Sequence, residues 1–215
     1  FTLCLLVSCR SKAQDPPEKP SLTPPYLWKQ FSMGADLSYV NEIEDYGGKF
    51  SDSSIVKDPF SIFASNGCNT VRVRLWHNPA WVGEITGGKL YSDLYDAEKT
   101  IRRAKNQGMA VSLDFHYSDI WADPDHQETP AAWKNLDIDI LRDSVYQYTQ
   151  YVLNYLNSKG LTPEMVQVGN ETNPGMLFPV GKIENGDWTN FGLLLNSGIA
   201  AVRDFSKSSL IKPMI

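Results

Sequence analysis

The 215-residue chain is poor in cysteine, with three residues at Cys4, Cys9 and Cys68. That number and placement exclude a disulfide scaffold. It contains no Cys-x-x-Cys pair, no His-Glu-x-x-His and no glycine-rich phosphate loop, so the usual marks of dithiol redox, zinc peptidase and phosphate-cradling chemistry are missing. Basic runs are also absent. The 20 Lys and Arg stand against 25 Asp and Glu, a net charge of -5, which argues against nucleic acid as a partner. What is plentiful is aromatic: 6 Trp and 10 Tyr, several beside turn residues and acids rather than inside apolar runs. Most aromatic residues fill cores, but that placement also suits stacking on sugars.

The chain is expected to divide into three parts. Residues 1–9 resemble the remnant of a lipoprotein-type signal, with Phe1 to Val7 apolar and Leu6-Val7-Ser8-Cys9 similar to a bacterial lipobox. That reading predicts cleavage before Cys9 and lipid attachment to its thiol. An ordinary secretory signal remnant is the other reading, and both export the protein to the cell envelope or beyond. The apolar stretch is too short to span a bilayer, so membrane contact is expected only through a lipid. With no initiating Met and no basic flank, the start of the signal is expected upstream. Residues 10–26, rich in Pro, Lys, Asp and Ser, have the composition of an extended linker. Residues 27–215 carry the fold.

There the chain alternates strand and helix. Phe31 to Asp36 has the pattern of a first strand end. Pro59 to Ser65 is a short helix stopped by Gly67, and Thr70 to Trp76 alternates with period two as a second strand. Ser92 is placed to cap a helix whose apolar face is Leu94, Ala97, Ile101 and Ala104, ended by Gly108. A third strand runs to about Phe115. Asp137 to Asn157 is a long helix with Ile138, Leu141, Val145, Tyr148, Val152 and Tyr155 on one face. Val166 to Val168 is a fourth strand, Thr189 to Phe205 a helix, and Lys212 to Ile215 the onset of a fifth strand. Cys68, before the second strand, is expected to be a small buried hydrophobe. Repeated β-then-α units predict a parallel sheet with right-handed crossovers. The fold class is therefore α/β. A complete (β/α)₈ barrel takes about 250 residues, so four units and a fifth strand correspond to an incomplete N-terminal portion of one, about strands one to five. An open doubly wound sheet is the alternative, but no switch-point ligand loop is evident.

Two strands end in polar, titratable residues. The fourth leads into Val168-Gly169-Asn170-Glu171, and the third runs through Asp114-Phe115-His116-Tyr117-Ser118-Asp119. In a parallel barrel the active site is built at the carboxyl ends of the strands, which makes the Asn170-Glu171 pair a catalytic candidate. A lone Glu after a strand is more commonly a solvated loop residue or a helix N-terminal charge.

Four segments in order change that balance: Gly34-Ala35-Asp36-Leu37-Ser38, Val71-Arg72-Val73-Arg74-Leu75-Trp76-His77-Asn78-Pro79, Leu113-Asp114-Phe115-His116-Tyr117-Ser118-Asp119-Ile120-Trp121-Ala122-Asp123-Pro124, and Val168-Gly169-Asn170-Glu171. Together, from about Gly34 to the C-terminus, they resemble the glycoside hydrolase family 53 endo-β-1,4-galactanases. The resemblance implies a (β/α)₈ barrel of a retaining clan, cutting the β-1,4-galactan side chains of pectic type I arabinogalactan. It implies that Glu171 is the general acid/base and that Asn170 hydrogen-bonds the substrate 2-hydroxyl. Retaining chemistry needs a second carboxylate about 5 Å away to attack the anomeric carbon. The family places that nucleophile, a Glu, after the seventh strand, beyond the end of this chain. Residues 1–215 alone are accordingly expected to be inactive.

Further candidates surround this pair. Arg72, Arg74 and Trp76 share one face of the second strand. Arg74 could hold the nucleophile ionised, or sit in a buried ion pair within the barrel. His116 is expected to contact substrate, while Trp76 and Trp121 could stack on galactose rings. Asp123 could bind hydroxyls or cap the turn at Pro124, and Asp36 is a weaker candidate of the same kind. His116, Asp119, Asp123 and His126 could be imagined as metal ligands, but nothing in their spacing specifies a metal. No cofactor is expected, and the chain is expected to be monomeric. Two alternatives remain open: another retaining member of the clan acting on a different β-glycan, and a non-catalytic glycan-binding lipoprotein.

Overall fold

The computed structural model describes Lys29, residues 31–205 and residues 211–215. The signal-like stretch, Cys9 and the linker lie outside the described residues. The elements follow one another as β1 (Gly34–Asp36), α1 (Val40–Asp45), β2 (Ser51–Asp52), β3 (Ile55–Val56), α2 (Pro59–Ser65), β4 (Thr70–Leu75), α3 (Ala80–Thr86) and α4 (Leu94–Asn106). Then come β5 (Ala110–Phe115), α5 (Ile138–Ser158), β6 (Met165–Val168), β7 (Gly175–Met176), β8 (Gly181–Lys182), α6 (Thr189–Phe205) and β9 (Lys212–Met214).

Five strands form one parallel sheet in the order β1-β4-β5-β6-β9, so each new strand adds beside the previous one. That regular winding, with no reversal in strand order, is that of a barrel wall and not of a doubly wound sheet. The sheet is sided by period-two alternation. Val71, Val73, Leu75, Val111, Leu113, Phe115, Val166 and Val168 are buried in the main apolar cluster, together with Ile101 and Ala104 of α4, Leu141, Val145, Val152 and Leu156 of α5, and Leu194 and Val202 of α6. The opposite face carries Asp36, Arg72, Arg74, Asp114 and Gln167. In the ladder Asp36 stands beside Arg72, and Arg74, Asp114 and Gln167 stand level with one another.

Local chemistry fixes the helix starts. Asp58, Asp93 and Asp137 each accept the backbone N–H three residues on, at 3.1, 2.9 and 3.0 Å, which satisfies one of the orphan donors of the first turn. The cap of α4 is thus Asp93, not Ser92. Ser92 has φ +58 and instead donates its N–H to Asp96 at 2.8 Å. The apolar face expected for α4 is otherwise found, with Ala97, Ile101 and Ala104 buried. On α5, Leu141, Val145 and Val152 are buried as expected, and Thr149, Leu153 and Leu156 join them. The β2–β3 and β7–β8 hairpins and α3 were not visible as periodic segments, being two to seven residues long. Cys68 is buried and points its thiol at the Thr70 carbonyl, 3.2 Å away. Helix α6 lies close on β6 because Gly198 has no side chain; a Cβ there would collide with Val168.

Candidate active site

Arg72 of β4 is the hub at the carboxyl ends of the strands. One guanidinium nitrogen donates to Asp36 of β1 at 3.0 Å; another donates to Asp114 of β5 at 2.6 Å and to the Asn170 side-chain oxygen at 2.7 Å. Weaker contacts of 3.4 Å reach the Gln167 side-chain oxygen on β6. One cation therefore ties four adjacent strands together. The Asp114 carboxylate has no exposed side-chain surface, its Oδ1 has no hydrogen-bond partner among the described residues, and Arg72 is its ion-pair partner. Burial pushes the Asp36 carboxyl up, but Ser38 and Arg72 outweigh it and hold it below the ordinary carboxylate value.

Asn170 is locked at both ends. Its Oδ1 receives Arg72, and its Nδ2 donates to the Ala122 carbonyl at 2.7 Å. Swapping the amide would set oxygen against the carbonyl and nitrogen against the guanidinium, so only one orientation fits. His116 packs beside this network. Its Nδ1 accepts from the Ala122 N–H at 3.0 Å and from the Trp76 indole at 3.3 Å, and its Nε2 lies 3.0 Å from Asp114 Oδ2. Two donors on Nδ1 put the proton of the neutral ring on Nε2.

Glu171 follows with φ +49, after Gly169 at φ +86. The glycine is required by its conformation and by space, since a Cβ would lie 2.5 Å from the Thr172 methyl. This turn lifts the Glu171 side chain off the end of β6. Its carboxylate is exposed and pairs with no other described residue. It borders an opening of about 490 Å³ shared with Gln167, Thr172, Asn173, Trp188 and Phe191.

A second opening of about 560 Å³ is lined by Tyr39, Trp76, Trp81, Ile120, Trp121, Asp123 and His126. Trp81 and Trp121 each present about 40% of their surface to solvent, the condition for stacking on a sugar face. Trp76 is nearly buried between them and Arg74, its ring 5.9 Å from that of Trp81.

The expected site residues thus fall into three groups. Asn170, Glu171, Asp36 and Trp121 stand at the strand ends with Trp76 just beneath. His116 does not reach the surface: its side chain is fully buried under Trp121 and Ala122, so the anticipated substrate contact is replaced by support for its neighbours. Arg74 likewise makes no ion pair among the described residues. It donates to the Ser92 hydroxyl at 3.0 and 3.3 Å and lies 4.1–4.9 Å over the rings of Tyr39, Trp76 and Trp121, an aromatic cage instead of a carboxylate partner. Asp123 caps its own turn, accepting from the N–H groups of Asp125 and His126 and from the His126 ring at 2.8 Å. Arg72 and Gln127 were missed as site residues. Arg72 shares the inward period of Arg74, and that shared face was the available signal.

Asp119 joins the loops after β4 and β5. It accepts from the Asn78 and Ala131 N–H groups at 2.9 and 2.8 Å, with His77 3.4 Å away. Burial pushes its carboxyl up, and His77 with these two amides more than compensates, leaving it below the ordinary value. Each of the three imidazoles is thereby beside its own carboxylate, and no group of three His, Cys, Asp or Glu side chains converges as a metal site among the described residues.

Fold and site together define part of a (β/α)₈ barrel whose carboxyl-end face carries an Asn-Glu pair. Comparison with known proteins makes this specific. The family model for glycosyl hydrolase family 53 matches residues 32–214, and the chain belongs to that family. It is 47% identical over 182 residues to an arabinogalactan endo-β-1,4-galactanase of Cellvibrio japonicus, covering 83% of this chain and 46% of that protein. It is 38% identical over 184 residues to an endo-β-1,4-galactanase of Bacillus subtilis, covering 85% and 42%. Among solved structures, it superposes on a fungal β-1,4-galactanase with a TM-score of 0.78 at 39% identity, covering 86% of this chain and 52% of the other. For the family 53 catalytic domain of Ignisphaera aggregans the TM-score is 0.76 at 36% identity, with 91% and 52% covered. The chain spans about half the length of the curated relatives it matches.

Proposed function

We propose that this chain is the acid/base-bearing half of an endo-acting, retaining β-1,4-galactanase, with Glu171 as the general acid/base. The observation that carries the reading is the Asn170–Glu171 pair at the end of the fourth sheet strand: an amide held in one orientation beside a carboxylate that is exposed and unpaired among the described residues. A glycosidic oxygen leaves poorly until it is protonated, so a positioned carboxylic acid must deliver a proton to it and later take one from water. The second N–H of the Asn170 amide is the donor for the sugar 2-hydroxyl, a bond that strengthens as positive charge grows at the anomeric carbon. Asp36 and Asp114 are committed to Arg72, and we assign the nucleophile to neither. It is a Glu after a seventh strand, outside the five strands present. Galactan is the proposed substrate because relatives over this region carry that activity in their names. Trp81 and Trp121 are the proposed stacking surfaces, and the proposed protein is exported, either lipid-anchored through Cys9 or secreted.

The test is reducing-sugar release from β-1,4-galactan by the full-length gene product, parent against Glu171→Gln. Loss of general acid catalysis costs roughly 10²–10⁴-fold on a poor leaving group. An active parent with an inactive variant supports both substrate and role. Activity on mannan or xylan instead of galactan would move the protein to another substrate within the clan. Binding without hydrolysis of any glycan would make it a glycan-binding lipoprotein.

A further inference from the structure

The catalytic segment is held by a residue outside it. Gln127, in the loop between β5 and α5, is 2% exposed and lies 43 residues before Asn170. Its side-chain nitrogen donates to the Asn170 carbonyl at 2.7 Å and to the Asp123 carbonyl at 3.1 Å, with the Glu171 carbonyl at 3.4 Å. Three carbonyl oxygens around one atom require that atom to be the NH₂ group. The Gln127 main chain grips the same loop further on: its carbonyl accepts from the Phe178 N–H at 2.6 Å, and Thr129 donates its hydroxyl to the Phe178 carbonyl at 2.9 Å. The peptide being clamped needs it. Glu171 stands at φ +49, a region that costs a non-glycine residue about 1–3 kcal/mol unless its surroundings impose it.

We infer that Gln127 is a positioning residue for the general acid/base: it fixes the Asn170–Glu171 backbone, and through it the direction of the Glu171 carboxylate. This rests on the proposed role of Glu171. Gln127 touches no reacting atom. Without its two N–H bonds the left-handed turn relaxes, and the carboxylate wanders from the glycosidic oxygen.

The experiment compares Gln127→Met and Gln127→Leu, which fill the volume without a donor, with the parent and Glu171→Gln in the full-length protein. Each is assayed on β-1,4-galactan and on an aryl β-galactoside oligomer with a dinitrophenolate leaving group, which departs without protonation. A displaced acid lowers kcat on galactan by about 10–10²-fold, since an error of about 1 Å in placement costs that much. It should leave bond cleavage in the aryl substrate, read as the burst of phenolate, nearly unchanged. Azide, which replaces the base-assisted water, should accelerate the steady-state aryl reaction of the Gln127 variants as it does that of Glu171→Gln. Equal losses on both substrates, or no azide response in variants whose melting temperature matches the parent, would overturn the inference. If one variant does not fold, the other decides. If Glu171→Gln itself keeps full activity on galactan, the acid/base assignment fails before the clamp is in question.

Discussion

Arg72 is the place where charge most directly holds this site together, and removing its charge gives a prediction with a calculable magnitude. Arg72→Leu leaves Asp114 with no exposed surface and without the guanidinium that pairs with it at 2.6 Å. Breaking a buried pair from one side typically costs about 3–5 kcal/mol. Asp36, nearly 40% exposed, adds little. For a domain of this size a loss of about 3–5 kcal/mol lowers Tm by roughly 6–20 °C. Circular dichroism melts of the parent, Arg72→Leu, Asp114→Asn and the double variant provide the assay. The double variant should recover roughly 2–3 kcal/mol relative to Arg72→Leu. A Tm for Arg72→Leu within about 2 °C of the parent, or a double variant no more stable than Arg72→Leu, refutes the reasoning.

Three other outcomes are expected. Gly169→Ala must hold a Cβ at φ +86 within 2.5 Å of the Thr172 methyl; it should destabilise by about 1–3 kcal/mol in urea unfolding and depress activity through the adjacent Asn170. The Asp119 carboxyl, held below its usual 3.8 by His77 and two backbone amides against the opposing effect of burial, stabilises the joined loops fully above that value and loses the contribution as pH falls through its lower folded value. The protection of the Asn78 and Ala131 amides against hydrogen exchange, taken relative to the intrinsic rate at each pH, should fall below about pH 4 in the parent, and should be lower at neutral pH in Asp119→Ala. Trp121→Ala should raise KM for galactan roughly tenfold with a smaller change in kcat, because a stacking contact of about 1.4 kcal/mol serves ground and transition states alike; an unchanged KM counts against the aromatic opening as a sugar site.

Much of this protein is written locally. Period-two alternation in Thr70 to Leu75 and the 3.6-residue period of α4 and α5 are read within a window of a few turns, because burial on one side is their whole cause. The caps at Asp58 and Asp137 depend on an amide three residues away, so they too are legible in one dimension. The same holds for an Asn-Glu pair at the end of an apolar strand. Ser92 shows the limit of that reading: its hydroxyl accepts from Arg74 of β4, and the cap of α4 is the next residue, Asp93. The division of labour at the site is of that second kind. Asp114 and Asn170 lie 42 and 98 residues from Arg72, and the sequence pointed to Arg74 rather than Arg72 as the site arginine. Only the stacking of neighbouring strands decides that Arg72 meets the carboxylates while Arg74 enters an aromatic cage. His116 belongs there as well, since its type suggested a substrate contact and its burial under Trp121 made it a support. The sequence by itself determined which residues face inward at the strand ends. The tertiary structure alone decided which of them touch, because side-chain partners across a sheet are set by strand order and register, and no local pattern encodes those.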